Sequence, residues 1–418
     1  MLDIKFIREN KDLVKAAAKK KHIEIDIDRL ISVDDERKKK IASYEAKKAE
    51  HNTVSDQIAN ITDQSEKEHL ISKMKMLKDV LSVEESELKE VVKEWQYIMV
   101  RVPNIPDMSV PEGESDADNK EIRKWGNQPE FSFEPKSHIE LMENLDMVDF
   151  ERGTKIAGFR GYVLKGDSVN LQFALFQFVQ DNLKGFTKTV VPSLLNKESF
   201  LGTGFLPQSE EDLYKTQDES YLAGTSEVPM MGYYMDEVLD RKNLPIKFLA
   251  FSPCFRREAG SHGKDTKGLM RVHEFFKLEQ VVLCEASHEE SVRLHEEITK
   301  NSEKIMQALN IPYRIVINSG GDLGLGQVKK YDIESWIPSE KKYRETHSSS
   351  YFHDFQTRRL NIKYKDKEGK AKFAHSLNNT TIAAPRILIP LIENNQNEDG
   401  SINVPEVLRE YIGKDIIK

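Results

Sequence analysis

Apolar residues recur at alternating intervals of four and three in the segment that precedes residue 100. The stripe is interrupted once, at Glu84, and otherwise consists of Leu70, Met74, Leu77, Leu81, Leu88, Val91, Trp95 and Ile98. This spacing is typical of a helix that packs along another helix in a coiled coil. Residues 27–102 contain neither glycine nor proline. We therefore predict long helices throughout this region.

The segment before the stripe carries a weaker version of the same pattern. Four apolar residues fit a helical seam and three polar residues stand at seam-like positions; these are Leu30, Ile41, Tyr44 and Ile58, and Arg37, Lys48 and His51, respectively. The polar segment 60–66 has the composition of a turn. We predict an antiparallel helical hairpin in which each helix has roughly 30–35 residues and is about 45–50 Å long.

Prolines at positions 103 and 106 end the second helix, because proline lacks the amide donor and disfavours helix before it. Residues 110–127 are acidic, polar and poor in apolar side chains, which favours a linker. From residue 131 onward, strand-like apolar runs alternate with helical patterns. The predicted organisation is therefore a helical arm at 1–102, a linker at 103–130 and a second domain at 131–418.

Composition limits the class of protein. The chain has 418 residues, 38% of them hydrophobic and 32% charged, and a formal net charge of −8. No apolar run is long enough to span a membrane, and the start of the chain lacks the pattern of a signal peptide. Cys254 and Cys284 have no nearby partner in the sequence, so neither a disulfide framework nor a zinc site is expected. We predict a cytoplasmic, reduced protein.

The net negative charge argues against general nucleic-acid binding, although a local basic patch can still bind RNA. If the arm folds back at about residue 64, Lys47 and Lys48 lie near the level of Lys78, with Lys73 and Lys75 closer to the tip. Such a basic band suits an RNA backbone. Long charged coiled coils also serve as oligomerisation rods, and the pattern alone leaves both interpretations open.

The segment 251–280 predicts two strands joined by a loop, 259–268, that is rich in glycine and lysine. Alternation along the strands assigns seven residues to one face: Arg256, Glu258, Arg271, His273, Phe275, Lys277 and Glu279. It assigns Met270, Val272, Phe276 and Leu278 to the opposite face. Two arginines, an aromatic ring and carboxylates on one surface suit a ligand with a phosphate, a purine ring and an amine.

The segment 222–229 places a hydroxyl and a carboxylate two residues apart, at Thr225 and Glu227. In an extended backbone both side chains share a face, and together they suit the ammonium and polar groups of an amino acid. The alternative is a helix N-cap formed by Thr225 or Ser226. The local sequence does not decide between the two.

Three further segments are candidates for binding phosphate or a metal ion. The glycine-rich stretch 319–326 lacks the lysine of a phosphate-binding loop and leads into a predicted strand at 329–338. Glu345 and Ser348 supply oxygen ligands that suit Mg²⁺, whereas adjacent His347 and Ser348 do not form a hydrolase triad. Arg386 begins an apolar segment, and its guanidinium can hold a phosphate with two donors.

Taken in order, these segments resemble the three signature motifs of class II aminoacyl-tRNA synthetases, in the form found in seryl-tRNA synthetases. The corresponding residues are 169–192, with a predicted helix at 169–183 and a strand at 187–191, then 251–280 and 376–396. Thr225 and Glu227 resemble the T-x-E serine-binding motif of that family. The arm, with the break after residue 102 and the acidic segment, resembles the tRNA-binding arm of seryl-tRNA synthetases.

The resemblance spans essentially the whole chain and implies an α+β fold. The expected architecture is a class II antiparallel β-sheet catalytic domain flanked by helices, preceded by the helical-hairpin arm. The implied activity is that of a serine–tRNA ligase, which uses ATP and Mg²⁺ and charges tRNA(Ser), with charging of tRNA(Sec) left open. A homodimer is implied, with residues 169–192 at its interface.

The resemblance also implies roles for individual residues. Arg256 and Arg386 would be catalytic, and Glu345 and Ser348 would hold the metal. ATP would contact Arg256, Arg257, Glu258, Arg271, Val272, Phe275, Glu345, Thr346, His347, Ser348 and Arg386. Serine would contact Thr225, Ser226, Glu227, Arg256, Glu279, Asn378 and Thr380.

The chain departs from the usual seryl-tRNA synthetase pattern at Thr346, His347, Asn379, Thr381 and Pro385. Loss of glycine at 379 and 381 is expected to affect the path of the chain there, because glycine alone adopts positive φ freely. Two other functions share part of the pattern: a synthetase-like ligase that loads an amino acid onto a carrier protein, and a non-catalytic RNA-binding paralogue. The long arm argues against the first, and the retained charged residues argue against the second.

Overall fold

The computed structural model describes residues 1–260, 263 and 265–418, which form two units. The arm unit comprises residues 3–19 and 23–102, and the sheet unit comprises residues 1–2, 20–22 and 103–418. Among the described residues, no helix is both long and apolar enough to cross a membrane. The boundaries at residues 102 and 130 between arm, linker and second domain stay a prediction.

The first four helices of the described residues precede the strands, and the other helices are interspersed with strands. The helices are α1 Ile4–Glu9, α2 Lys11–Lys20, α3 Ile27–Asn60, α4 Gln64–Met99, α5 His138–Asn144, α6 Phe150–Ala157, α7 Asp167–Asn182, α8 Lys197–Thr203, α9 Glu227–Gly232, α10 His288–Ala308, α11 Phe355–Arg359, α12 Leu388–Asn394 and α13 Glu406–Ile412.

All strands of the described residues lie in the sheet unit, and many of them are only two residues long. They are β1 Lys120–Trp125, β2 Val148–Asp149, β3 Val163–Leu164, β4 Thr187–Val190, β5 Leu194–Leu195, β6 Tyr221–Leu222, β7 Val238–Leu239, β8 Ile246–Phe255, β9 Glu274–Cys284, β10 Tyr313–Ile317, β11 Lys329–Ile337, β12 Lys342–His353, β13 Lys363–Lys365, β14 Ala371–Phe373, β15 His375–Ala384, β16 Ile402–Asn403 and β17 Ile416–Ile417.

The arm unit is built on the predicted helical hairpin. Helices α3 and α4 have 34 and 36 residues and are joined by a three-residue turn at 61–63. Asp26 and Asp63 cap the two helices, because each side chain accepts a hydrogen bond from a backbone amide in the first turn of its helix. The position of the turn and the length of each helix confirm the hairpin prediction.

The seam of the hairpin follows the predicted stripe. Val91 is buried and the other stripe residues of α4 are partly buried, while most residues between them are exposed. At the interruption in the stripe, Glu84 accepts a hydrogen bond from the Ser43 hydroxyl and pairs with Lys47. The α3 assignment was wrong at Lys48, which is exposed, and it missed Val54, which is buried.

The sheet unit contains a large sheet that builds the site. Its strand order is β1-β10-β11-β12-β15-β9-β8-β4, with antiparallel pairing throughout except between β4 and β8. Apolar residues of α7 and α12 pack with the sheet in one large core, and α10 packs with β9, β12 and β15. This arrangement confirms the predicted fold class.

Two local interpretations of the sequence require correction. Residues 120–125, expected within a linker, form β1 and pair with β10 at the edge of the sheet. The strands of the predicted hairpin are also shorter at the loop than expected, since β8 ends at Phe255 and β9 begins at Glu274. Arg256, Glu258 and Arg271 thus lie outside the strands, and strand alternation does not determine where they point.

Candidate active site

One cavity collects most of the predicted site residues. It measures about 180 Å³ and lies against β9, β12 and β15, beside the segments that follow β8 and precede β9. Its lining includes the following predicted residues: Thr225, Glu227, Arg256, Glu258, Val272, Phe275, Glu279, Glu345, Thr346, His347, Ser348, Asn378, Thr380 and Arg386. Ser226, Arg257 and Arg271 do not belong to this lining.

Two arginines flank the cavity. The Arg256 guanidinium lies 5.3 Å from the centre of the Phe275 ring, and its Nε donates to the carbonyl of Gly224 at 3.3 Å. Arg386 Nε donates to the carbonyl of Met270 at 3.0 Å, and Nη1 lies 3.6 Å from the carboxylate of Glu345. Backbone acceptors therefore fix one side of each guanidinium, which suits both for binding an anion.

Arg271 is held by acidic residues next to the cavity. Its Nη1 donates to Glu258 at 2.7 Å, and its Nε lies 3.6 Å from Asp265. Asp265 also pairs with Arg344 at 2.6 Å. The shared face predicted for Arg271 and Glu258 thus corresponds to an ion pair. Glu258 lines the cavity, whereas Arg271 does not line it.

Arg257 and Ser226 are directed elsewhere. The Arg257 guanidinium lies 5.4 Å from the centre of the Tyr214 ring. The Ser226 hydroxyl contacts Ser252 Oγ at 2.7 Å and the carbonyl of Ala250. Ser226 occupies the N-cap position of α9 without forming a side-chain cap, while the Thr225 hydroxyl accepts a hydrogen bond from the Glu227 backbone amide at 3.3 Å. The alternative N-cap interpretation therefore placed the helix start correctly.

Met270 and Val272 were predicted to face the core, away from the ligand. Both are buried, but both also line the cavity, together with Leu269. The strand alternation behind that prediction does not apply, because β9 begins only at Glu274. Strand alternation therefore turned Met270 and Val272 away from the ligand, whereas both contribute to an apolar wall of the cavity.

A β-bulge brings Glu345 and Ser348 to one face of β12. His347 pairs with Ile333 and Glu345 pairs with Glu334, so Thr346 is the extra residue in the pairing with β11. Residues three apart normally point to opposite faces of a strand, and the extra residue reverses that alternation. Both side chains therefore lie beside the same cavity.

Charge at this end of the cavity is balanced by cations. The Glu345 side chain is 48% exposed, and the charges of Arg386 and Lys330 outweigh the effect of its partial burial and hold its pKa below the usual value. Burial lowers the pKa of His347 to about 4, so its imidazole is neutral at physiological pH. His347 Nδ1 contacts the Thr346 hydroxyl at 2.9 Å.

The opposite end of the cavity contains a dense polar pocket. The Thr225 hydroxyl donates to Glu279 Oε2 at 2.6 Å, and Lys277 contacts both Thr225 Oγ1 and Glu279 Oε2, at 2.7 and 2.8 Å. Asn378 Nδ2 donates to Glu227 and to Glu279. We call these five residues the amino-acid pocket, after the ligand predicted from Thr225 and Glu227.

Two polar residues at this pocket were absent from the predicted site residues. Lys277 stands on the predicted ligand face, so strand alternation placed it correctly without indicating its contacts. Gln356, at the start of α11, donates to Glu227 Oε1 and accepts from Ser376. No local pattern in the sequence connects residue 356 with residue 227, which is why Gln356 was missed.

The unusual segment 378–381 lies within β15. Asn378 and Asn379 pair with β9 and β12, and Thr380 lies opposite Glu279 in β9. None of these residues has a positive φ, so the absence of glycine causes no backbone strain here. Thr381 is an extra residue in the pairing of β15 with β9, and the expected effect of the lost glycines on the path of the chain stays a prediction. The Asn379 amide instead donates to Ile298 and Ser302 on α10.

Comparison with known protein families agrees with this architecture. Residues 211–395 match the family described as "tRNA synthetase class II core domain (G, H, P, S and T)". Residues 1–106 match "Seryl-tRNA synthetase N-terminal domain". The large antiparallel sheet and its cavity thus define a class II aminoacyl-tRNA synthetase core.

Full-length relatives narrow the class. The serine–tRNA ligase of Deinococcus radiodurans is 44% identical over 416 residues, covering 99% of this chain and 98% of that protein. The structure of Pyrococcus horikoshii seryl-tRNA synthetase complexed with ATP has a TM-score of 0.88 and 37% identity, covering 100% and 99% of the two chains. That of Naegleria fowleri with AMP has a TM-score of 0.86 and 34% identity, with the same coverage. The chain belongs to the seryl-tRNA synthetase family.

Proposed function

We propose that this protein is a serine–tRNA ligase, which activates serine with ATP and transfers the seryl group to the 3′ end of tRNA(Ser). The observation that carries this proposal is the single cavity that joins the amino-acid pocket to Arg256 and Arg386. An amino acid in the pocket and a triphosphate beside the arginines would meet between them. That is the geometry required for adenylate formation.

The first step joins serine to AMP. One oxygen of the serine carboxylate attacks the α-phosphorus of ATP, the bond to the bridging oxygen breaks, and pyrophosphate leaves. Such phosphoryl transfer depends on positioning and charge stabilisation and needs no protein nucleophile. Arg256 would bind the α-phosphate from its place beside Phe275, and Arg386 would bind the γ-phosphate.

The adenosine portion would lie between the segment before β9 and the ring of Phe275. Phe275 offers a face for stacking on the adenine, and Glu258 offers an acceptor for the exocyclic amine. Val272 provides apolar contact, and Arg271 would act through its ion pair with Glu258. Thr346 and His347 lie beside the metal ligands and would shape that wall of the site.

The same cavity offers ligands for a divalent cation. Glu345 provides a charged oxygen and Ser348 a neutral oxygen on one face of β12, and oxygen donors of this kind fit Mg²⁺. When bound with ATP, Mg²⁺ would neutralise charge on the phosphates. Arg386 lies 3.6 Å from Glu345 and would keep that carboxylate ionised.

The amino-acid pocket would recognise serine through charge and hydrogen bonds. Glu227 and Thr225 would receive the ammonium group, while Glu279 and Thr380 would contact the hydroxyl. A site that buries a hydrogen-bonding carboxylate rejects alanine, because the carboxylate then loses a partner. Asn378 would orient both acids.

In the second step the tRNA 3′-terminal hydroxyl attacks the carbonyl of seryl-adenylate, and AMP leaves. The helical arm would bind the tRNA backbone through the basic residues near its tip. Lys47 pairs with Glu84 and Lys73 with Glu50, which leaves Lys48, Lys75 and Lys78 as the exposed candidates. The arm also supports tRNA over a carrier protein as the acceptor.

We further propose a homodimer that forms through the β4 edge of the sheet. Val190 is 80% exposed, and Phe173, Leu194 and Tyr233 beside the same edge are 51–64% exposed. Exposed apolar patches of this kind mark interaction sites. We place the protein in the cytoplasm, where tRNA is used in translation.

Serine-dependent exchange between ATP and pyrophosphate tests the first step, with threonine and alanine as controls. We expect exchange with serine at least about 100-fold faster than with alanine, from the energy of one buried hydrogen-bonded group. Charging of tRNA(Ser) then tests the second step. Absence of exchange with every amino acid would contradict the proposal and leave the non-catalytic alternative.

A further inference from the structure

Two buried carboxylates share one amide in the amino-acid pocket. Asn378 Nδ2 lies 2.8 Å from Glu227 Oε2 and 3.0 Å from Glu279 Oε1, and the two acids are 5% and 1% exposed. Because both oxygens contact one nitrogen, they lie within about 6 Å of each other, where like charges disfavour each other's ionisation. Glu227 and Glu279 therefore cannot be ionised at the same time unless a positive charge compensates them.

The hydrogen bonds of the two acids are unequal. Glu279 Oε2 accepts from the Thr225 hydroxyl at 2.6 Å, from the Lys277 ammonium at 2.8 Å and from the Glu227 backbone amide at 3.2 Å. Among the described residues, the side-chain donors to Glu227 are the neutral amides of Gln356 and Asn378. The arrangement therefore stabilises a negative charge on Glu279 and gives Glu227 much less support.

The charged groups that face Glu227 come from two strands. Lys277 and Glu279 lie on β9, and Arg256 follows β8, where its guanidinium is directed to Phe275 and to the carbonyl of Gly224. Cys254 on β8 stays neutral because burial raises the pKa of its thiol. Among the described residues, α11 and β15 contact Glu227 through amide side chains alone.

The same geometry shifts the pKa values of the two acids in opposite directions. Burial and the negative charge of Glu279 raise the pKa of Glu227 to about 8. Burial acts in the same direction on Glu279, but the charge and the hydrogen bond of Lys277 outweigh it and hold the pKa of Glu279 below its usual value. At pH 7 the empty pocket thus holds a proton on Glu227 and a charge on Glu279.

We propose that Lys277 is a positioning residue that assigns the charges of the amino-acid pocket, keeping Glu279 ionised and leaving one proton on Glu227 until the substrate ammonium group binds. On binding, the O–H bond of Glu227 breaks, the proton passes to solvent, and the new carboxylate pairs with the ammonium. This inference rests on the proposed recognition of serine by the same pocket.

The proton makes serine binding depend on pH. Below about pH 8, binding requires the release of one proton from Glu227, so the affinity for serine rises about tenfold per pH unit. Above that pH, Glu227 is already ionised and the dependence disappears, as long as the ammonium of serine stays charged. A pocket with a permanently ionised Glu227 would show no such slope.

Calorimetry on the full-length protein measures the number of released protons. L-serine is titrated into the protein at pH 7 in two buffers with different ionisation enthalpies, and the difference between the observed heats gives the proton count. We expect about one proton for the wild type and none for Glu227→Gln. No release from the wild type, or unchanged release from Glu227→Gln, would overturn the proposal.

The wild type alone provides a second measurement if Glu227→Gln does not fold or bind. The infrared difference spectrum on addition of L-serine should lose the carbonyl stretch of a protonated carboxylic acid at pH 7. At a pH well above 8 this change should be absent. A spectrum without the loss at pH 7 would contradict a protonated Glu227.

Substitution of Lys277 tests its assignment. In Lys277→Met the cation that pairs with Glu279 is lost, so we expect the rise in serine affinity to move to higher pH and the proton count to exceed one. Lys277→Arg keeps the charge and should restore a count of about one. An unchanged pH profile in Lys277→Met would overturn the role of Lys277. Failure of the wild type to bind serine at any pH would instead contradict the proposed function.

Discussion

Individual residues of the site act in pairs whose partners are distant in sequence. Glu279 contacts Thr225 and Asn378, which are 54 and 99 positions away. The sequence indicated that each residue was chemically suited to an amino acid, but it did not indicate these contacts. Lys277 illustrates the gap most clearly, since its alternation placed it on the ligand face while its partners depend on the pairing of β9 with its neighbours.

At the residue scale, Glu279→Ala should affect serine far more than ATP. The change removes the proposed contact with the substrate hydroxyl and leaves Lys277 buried without its carboxylate partner. We expect the KM for serine to rise about 100-fold while the KM for ATP changes about twofold or less. Exchange kinetics with each substrate varied in turn provide the measurement.

Two variants accompany that measurement. Glu279→Gln keeps the shape of the side chain and separates the loss of charge from the loss of volume. Glu274→Ala alters an exposed acid at the start of the same strand and should leave both KM values unchanged. Equal increases of the serine and ATP KM values in Glu279→Ala would contradict the assignment of Glu279 to serine recognition.

At the scale of elements, local periodicity determined the arm and failed at the loop of the predicted β-hairpin. A seam every 3.5 residues is repeated eight times along α4, so single exceptions such as Glu84 do not change the interpretation. In contrast, the alternation expected from residue 251 to 280 is broken between Phe255 and Glu274. Alternation predicts a face only while the strand continues, and the sequence does not mark where pairing stops.

The arm offers a prediction at the same scale. The double variant Lys75→Gln and Lys78→Gln removes two exposed cations of the proposed tRNA surface and should weaken tRNA binding. Because each lost phosphate contact reduces the salt dependence by about one, the slope of log affinity against log salt should fall by about two. Binding of tRNA(Ser) measured over a range of salt concentrations gives this slope.

Serine-dependent exchange should be unchanged in that double variant, because the reaction proceeds without tRNA. Lys89→Gln is the matched control, since it removes an exposed cation of α4 outside the basic band. A slope that falls equally per charge in Lys89→Gln would assign tRNA binding to general charge rather than to the band near the tip.

At the scale of the whole molecule, the proposed dimer explains why apolar side chains are exposed beside the edge strand β4. Edge strands are usually protected by charge or by short length, and β1 at the other edge is rich in lysine, arginine and glutamate. Beside β4, by contrast, Val190, Phe173 and Leu194 are largely exposed. A partner copy that covers this edge would remove that apolar surface from water.

Val190→Asp should therefore shift the protein from dimer to monomer. A buried charge at an interface costs several times the energy that the valine contributes, so we expect the dissociation constant to rise about 100-fold or more. Sedimentation velocity over a range of protein concentrations measures the shift. Ile156→Asp, at another apolar residue that is 76% exposed, serves as the control. A dimer that persists unchanged in Val190→Asp would place the interface elsewhere.

The sequence by itself determined the helical arm, the order of the class II motifs and the chemical types that line the site, because these depend on periodicity and on residues close along the chain. The tertiary structure decided the rest. The bulge at Thr346 brings Glu345 and Ser348 to one face, and the pairing of β9 with β15 places Thr380 opposite Glu279. Register between distant strands is a property of the assembled sheet, since each pairing depends on all of its neighbours.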